Sequence, residues 1–143
     1  MLRGTGTALE VLALRRAVGG RCPGSWETVH GTIEPGETPQ QASAREMREE
    51  TGLTPLRLYN LSRVEMFYQH SRDEVALIPQ FAAFVSAGAE ARVSPEHDRC
   101  EWLPAATAAQ RFAWPRERRA LNDILSIVGG GDGGLLDDVL RVS

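Results

Sequence analysis

The stretch Gly31-Thr-Ile-Glu-Pro-Gly-Glu-Thr-Pro-Gln-Gln-Ala-Ser-Ala-Arg-Glu-Met-Arg-Glu-Glu-Thr-Gly-Leu53 decides the fold. Its second half is rich in strong helix formers, which predicts a helix over 39–50. Thr38 is a favourable N-cap with a Gln three residues later, and Pro39 suits the first helical position. Gly52 follows as a left-handed stop. We therefore expect a loop, a helix and a second loop.

Three carboxylates lie on one stripe of this predicted helix. Glu46, Glu49 and Glu50 are spaced i, i+3 and i+4, so they are neighbours on the helical surface and repel one another. Mg²⁺ is bound by carboxylate and phosphate oxygens, and would turn this repulsion into a binding site. Gly31 and Gly36 flank a tight turn that could bring backbone carbonyls to the same ions. From the residues alone, a salt-bridged, solvated helix face stays the alternative.

The spacing of the whole stretch is specific. Gly31 is followed by five residues, Glu37, seven residues, and then the run Arg45-Glu-Met-Arg-Glu-Glu-Thr-Gly-Leu53. This pattern resembles the Nudix box at every fixed position, although it covers only 23 of 143 residues. Seven charged or glycine positions coincide by chance on the order of once in 10⁸ windows. The resemblance implies an α/β fold, namely a Nudix-type α/β/α sandwich with a mixed β-sheet and the box as a loop–helix–loop.

The resemblance also implies roles for residues in and beyond the box. The metal ligands would be Gly31 (through its carbonyl), Glu46, Glu49, Glu50 and Glu96, with Glu49 and Glu96 also catalytic. Glu37 and Arg45 would brace the loop against the helix, since a guanidinium holds a carboxylate bidentately. The cofactor would be Mg²⁺, with Mn²⁺ as a possible substitute.

Glu96 is included because Ser94–Trp102 is similar to the Glu-His segment of dihydroneopterin triphosphate and dATP pyrophosphohydrolases. Asp98 or Glu101 could take its place, and the sequence does not rank these two substitutes. In the same branch an arginine at the end of the first long strand reaches the substrate phosphates. Arg15 and Arg16 both stand there, and they point to opposite faces of a strand.

A planar ring of the substrate would be stacked on aromatic side chains. The candidates are Trp26, Phe67, Tyr68, Trp102 and Trp114, of which Trp26 and Tyr68 are taken as substrate-binding. For any one of them, ordinary packing in the core is the alternative.

Composition narrows the class of protein. The 143 residues favour one domain with ordinary proportions, 42% hydrophobic and 24% charged. The net charge of −3 gives no electrostatic reason for binding nucleic acid or a membrane. All 16 cationic residues are arginine, which we attribute to GC-rich coding. Two distant cysteines, Cys22 and Cys100, indicate neither a zinc motif nor a disulfide framework. We expect a cytoplasmic protein. It is expected to be a monomer or a homodimer.

The remaining chain predicts alternating strands and helices. Strands are expected at 7–16, 26–30, 56–68 (as one or two), 76–85 and 101–103, and helices at 105–110 and 115–128. Pro79 suggests an edge or a bulge in its strand. We expect a single domain over 1–128, followed over 129–143 by a glycine-rich linker and a tail. Disorder of this tail is favoured over docking through Leu135, Leu136, Val139 and Leu140.

The predicted reaction is hydrolysis of a pyrophosphate bond in a nucleoside-triphosphate-like substrate, giving a monophosphate and pyrophosphate. dATP or dihydroneopterin triphosphate is favoured as substrate, because of the segments around Trp26 and Glu96. ADP-ribose or a dinucleoside polyphosphate is the alternative. A ligand-sensing module without catalysis is less favoured, since the box is intact. The tail could also be a docking peptide for a partner.

Overall fold

The computed structural model describes all 143 residues and contains a six-stranded sheet with helices on both faces. The strands are β1 (Leu2–Arg3), β2 (Glu10–Arg16), β3 (Trp26–Glu27), β4 (Arg57–Gln69), β5 (Glu74–Phe84) and β6 (His97–Pro104). The helices are α1 (Pro39–Thr51), α2 (Ala105–Arg111), α3 (Pro115–Ile127) and α4 (Asp137–Leu140). None of these helices has the length and apolar character needed to cross a membrane.

The sheet is mixed, as expected. Strand β2 is its centre: β6 runs antiparallel along one edge, while β1 and β3 share the other edge. The parallel pairing is between β1 and β5, through Leu2 and Phe84. Strand β4 pairs antiparallel with β5 and forms the outer edge.

Strands β4 and β5 form one long hairpin, so the 56–68 segment is one strand rather than two. The register shifts between Asn60 and Val64, and Val64 then pairs with Pro79. The extra residues of this bulge lie in β4 and not in the strand of Pro79, so the bulge predicted for that strand is wrong. The edge alternative is confirmed, because β5 bonds only to β4 at Pro79. Proline is tolerated there because the ladder is already interrupted.

Alternation along the strands supplies both layers of the sandwich. On one face, Leu58 and Ala83 pack with Met47 of α1. Their chain neighbours point the other way, and Tyr59 belongs to the main core, which includes Leu121 of α3. The first layer positions α1, and the main core anchors α2, α3 and α4.

The C-terminal segment differs from the expected disorder. Leu140 is buried in the main core, and the backbone of Val142 donates to the Leu58 carbonyl at 2.8 Å. Tyr59 donates a side-chain hydrogen bond of 2.7 Å to Asp137. The glycine run indicated flexibility, but one apolar side chain and a short β-bridge to β4 are enough to dock the segment. The docking alternative holds through Leu140 alone, because Leu135, Leu136 and Val139 are exposed.

Leu140→Ala is therefore expected to destabilise the protein by about 2–4 kcal/mol, because it leaves a cavity in the main core. Val139→Ala is the matched control: Val139 is 78% exposed, and its replacement should change stability by less than about 0.5 kcal/mol. Urea unfolding of the two variants measures both values. Equal stability of the two variants would show that the tail does not pack in solution.

The division of the chain at residue 128 into a domain and a tail stays a prediction.

Candidate active site

Helix α1 begins and ends where the sequence places its caps. Thr38 accepts from the Gln41 backbone at 3.3 Å, and the Gln41 side chain accepts from the Thr38 backbone at 2.8 Å. These two bonds form a capping box. Gly52 ends the helix with φ 71°, a left-handed conformation that costs glycine little. The three carboxylates are thus held on a helix fixed at both ends.

The carboxylates of the stripe differ in their surroundings. The side chain of Glu49 is 57% exposed and that of Glu46 is 17% exposed, whereas Glu50 is buried. Burial raises the pKa of Glu50 to about 8; nearby His30 opposes this, and Glu46 and Glu96 add to it. One oxygen of Glu50, Oε2, is buried without any hydrogen-bond partner. A buried carboxylate left in this state favours a cation as its partner.

Gly31 lies directly against Glu46. The Thr32 backbone N–H donates to Oε1 of Glu46 at 3.2 Å. A Cβ atom on Gly31 would stand 2.0 Å from Cδ and 2.2 Å from Oε1 of Glu46. Only glycine leaves the space in which the Glu46 carboxylate sits.

Arg45 braces the loop against the helix. Its Nε and Nη2 each donate to Glu37 at 3.0 Å, and Nη2 also donates to the Thr32 carbonyl at 2.8 Å. Its Nη1 donates to Glu46 at 2.9 Å and to Glu49 at 3.0 Å. One guanidinium therefore sets the loop, the helix and two of the three stripe carboxylates in register.

The residues fit a hard divalent cation by their chemistry. The predicted donors, which are the carboxylates of Glu46, Glu49 and Glu50 and the backbone oxygen of Gly31, are all oxygen atoms, and this chemistry would suit Mg²⁺. In the structure no three acidic, histidine or cysteine side chains are grouped so that they could hold a metal ion. Arg45 pairs with two of the three stripe carboxylates. The pair with exposed Glu49 is weak enough to exchange. The Oε2 atom of Glu50 is buried without a hydrogen-bond partner, and a bound cation would supply that partner.

The segment that contains Glu96 docks on the end of α1. The backbone N–H of Ser94 donates to the Glu50 carbonyl at 3.1 Å. The Glu96 side chain is 63% exposed, and its Oε2 lies 3.7 Å from Nη2 of Arg16. Arg16 also donates to Glu27 at 2.8 Å. The structure thus brings Glu96 and Arg16 to the stripe of carboxylates.

The other carboxylates of this segment are engaged elsewhere. Asp98 accepts from Arg15 at 2.7 Å. Glu101 is paired with Arg99 at 2.8 Å and with Arg111 at 3.3 Å. These contacts favour Glu96 over Asp98 and Glu101, and Arg16 over Arg15, while their roles stay predictions.

The two predicted stacking residues lie apart from each other. Trp26 is partly buried against the main core, with the Arg111 guanidinium 4.8 Å from its ring centroid. Tyr68 is exposed near the end of the β4–β5 hairpin and donates to Asp73 at 2.9 Å. Neither makes a hydrogen bond with the carboxylates, and their part in substrate binding stays a prediction.

A buried polar network behind the site was missed by sequence reasoning. Glu117 of α3 accepts from the Thr28 backbone at 2.8 Å and lies 3.3 Å from Nε2 of His30. Glu27 lies 3.2 Å from Nε2 of His97 and 3.6 Å from Nδ1 of His30. The sequence contained a sign of this network, since Glu117 lies on the apolar face of α3, one turn before Leu121. A carboxylate on such a face indicates a buried partner.

The network orders the chain just before Gly31. Burial alone would lower the pKa of His30, but hydrogen bonds to Glu117 and Glu27 raise it to about 9. Burial likewise opposes ionisation of Glu27, yet the bonds from His30, His97 and Arg16 hold its pKa well below its usual range. His30 is therefore a cation clamped between two carboxylates, one on β3 and one on α3.

These shifts give the metal-free protein a stability that falls as pH rises. The pKa of His30 rises from 6.5 to about 9, and that of Glu50 from 4.5 to about 8. Burial lowers the pKa of the Met1 ammonium from 8.0 to about 6, and this opposite shift offsets only part of the other two. The folded protein then binds more protons than the unfolded chain between pH 4.5 and about 9, so it loses stability across that window. In EDTA, Tm should fall by about 5–10 °C between pH values of about 6 and 9.5.

His30→Gln should make the fall of Tm with pH shallower, because the replacement removes one of the two groups whose pKa is raised. His70→Gln is the control: His70 is exposed near the hairpin turn, and its replacement should leave the slope unchanged. A Tm that is flat or rises over the same range would contradict the assignment of the network.

Known proteins resemble this chain in sequence and in fold. A protein from Myxococcus xanthus named octanoyltransferase is 38% identical over 120 residues, which cover 78% of this chain and 31% of that protein. The chain spans less than two thirds of the length of the curated relatives it matches first.

Two solved structures share the fold at low sequence identity. A Caenorhabditis elegans Ap4A hydrolase has a TM-score of 0.73 at 21% identity, covering 90% of this chain and 93% of that one. The Escherichia coli dihydroneopterin triphosphate pyrophosphohydrolase has a TM-score of 0.71 at 24% identity, covering 87% and 91%. The model of the NUDIX domain matches residues 1–124 of this chain. With the box intact on α1, the chain belongs to the Nudix hydrolase family.

Proposed function

We propose that this chain hydrolyses the pyrophosphate bond of a nucleoside-triphosphate-like substrate in the presence of Mg²⁺, releasing a monophosphate and pyrophosphate. The observation that carries the proposal is the buried, unpartnered Oε2 of Glu50 on a stripe with Glu46 and Glu49. Arg45 pairs with Glu46 and Glu49 but leaves Glu50 unpartnered, and a divalent cation held there would neutralise Glu50 and bind phosphate oxygens.

The residues around the stripe divide the chemical work. When bound, Mg²⁺ polarises phosphoryl oxygens and lowers the pKa of bound water. Glu46, Glu49 and Glu50 would hold the ion, and either Glu49 or Glu96 would take the proton of the attacking water. Both carboxylates are exposed enough to reach solvent. Arg16 lies beside Glu96 and offers its guanidinium to a phosphate.

The brace and the buried network position these groups. Arg45 keeps its bidentate contact with Glu37 whether or not Glu49 leaves it, so the loop stays in register with α1. His30 and Glu117 fix the chain before Gly31 from the opposite side. The carboxylates can therefore change partners without moving the backbone that carries them.

For the organic part of the substrate we propose dATP or dihydroneopterin triphosphate. The support is the Ser94–Trp102 segment, which docks Glu96 beside the stripe. Dinucleoside polyphosphates and ADP-ribose are the competing substrates, because their hydrolysis needs the same metal–diphosphate chemistry. The match to the Myxococcus xanthus octanoyltransferase covers under a third of that protein, so it does not support octanoyl transfer by this chain.

A substrate panel tests the proposal. dATP, dihydroneopterin triphosphate, ADP-ribose and diadenosine tetraphosphate are incubated with Mg²⁺ and, separately, with EDTA. We expect pyrophosphate from one of the first two with Mg²⁺ and none with EDTA. Faster turnover of either competitor would replace the proposed substrate. Nucleotide binding in calorimetry without any turnover would instead make the chain a sensing module.

A further inference from the structure

The far half of the β4–β5 hairpin projects beyond the rest of the sheet. Strand β1 reaches β5 only at Phe84, and β4 is the outer edge strand. From the Val64–Pro79 pair to the Gln69–Glu74 pair, the two strands therefore bond only to each other. An isolated two-stranded ribbon is only marginally stable in water.

One face of this ribbon is apolar and open. Three cross-strand pairs share it, because directly opposed residues of antiparallel strands point to the same side. The pairs are Val64 with Pro79, Met66 with Leu77 and Tyr68 with Val75. Five of the six side chains are 55–76% exposed, and none of the six is charged. We call this six-residue surface the hairpin face.

The opposite side of the ribbon is already covered. Phe67 packs edge-on against Trp114, with ring centroids 6.4 Å apart. Glu65 accepts from Arg119 of α3 at 2.6 and 2.9 Å. An antiparallel sheet usually packs one side on the protein and exposes a polar side to water. The hairpin face differs, because the side exposed to water is apolar.

We propose that the hairpin face is the interface of a homodimer, in which the faces of two chains stack across a two-fold axis. Its exposed side chains leave on the order of 500 Å² of apolar surface on one chain, a size at which an exposed patch is often functional. Two copies would bury about 1,000 Å², the lower bound for a specific interface. The dimer is accordingly expected to dissociate in the micromolar range.

The chemistry of the face favours a second copy over another partner. A two-fold interface needs a surface complementary to itself, and an uncharged apolar ladder meets its own copy without like-charge repulsion. Stacking also supplies the packing that the projecting ribbon lacks.

Sedimentation equilibrium of the full chain over about a tenfold range of concentration tests the proposal. The wild-type protein should approach twice the 15.7 kDa of one chain as its concentration rises. Met66→Glu combined with Leu77→Glu should give a monomer at all concentrations, because four carboxylates would meet at the centre of the interface. The milder Met66→Thr with Leu77→Thr suits a strand and should weaken the dimer at least about tenfold.

The control is Leu135→Glu combined with Val139→Glu, since both side chains are exposed and lie outside the hairpin face. This variant should remain a dimer. Tm values of all variants show whether they fold. A wild-type protein that is monomeric throughout, or a folded threonine variant that dimerises as tightly as wild type, would overturn the proposal. So would a monomer that binds phospholipid vesicles through this face.

Discussion

Glu49→Gln should lower pyrophosphate release on the order of a thousandfold while leaving the fold intact. Glutamine has the shape of glutamate but not its charge, so it removes one anionic ligand from the stripe and one of the two candidate bases. The fold should survive, because Glu49 is largely exposed and its ion pair with Arg45 contributes less than about 1 kcal/mol.

Turnover with saturating Mg²⁺ and Tm without metal are the two measurements for this variant. Glu74→Gln is the matched control: Glu74 is an exposed carboxylate at the start of β5, and its loss should change neither value. Near-wild-type turnover of the Glu49 variant would remove the stripe from the reaction. A large fall in metal-free Tm would instead give Glu49 a structural role.

The part of the site on α1 could be predicted from sequence, because the interactions that form this helix are local. Helix propensity, the Thr38 cap and the Gly52 stop act within a few residues, and the spacing of Glu46, Glu49 and Glu50 fixes their stripe on any helix. The predicted boundary, 39–50, differs from the observed Pro39–Thr51 by one residue. The mixed sandwich followed from the family resemblance, and it is confirmed.

The missed features depend on contacts between distant parts of the chain. Glu117 and His30 are 87 residues apart in sequence, and only the packing of α3 against the chain before Gly31 joins them. The tail was missed for a related reason. Its composition argued for disorder, whereas one residue, Leu140, finds a place in the core that no local pattern reveals.

Gly31→Ala should also lower turnover strongly, and it tests the geometry of the site rather than its charge. The added Cβ would stand about 2 Å from the end of the Glu46 side chain, far inside contact distance. The atoms in its way belong to a flexible side chain and not to backbone, so the cheapest response is for Glu46 to swing away. The protein then keeps its fold but loses the ligand position that the Thr32 N–H sets.

Three measurements separate these effects: turnover, Tm, and the Mg²⁺ concentration at half-maximal rate. We expect a loss of turnover of at least about a hundredfold, a raised requirement for Mg²⁺ and a Tm within a few degrees of wild type. Gly88→Ala is the control, because its Cβ would meet no atom within 4 Å and its backbone is not left-handed. Unchanged turnover of Gly31→Ala would mean that Glu46 works equally well elsewhere, and that its place beside Gly31 does not position the metal.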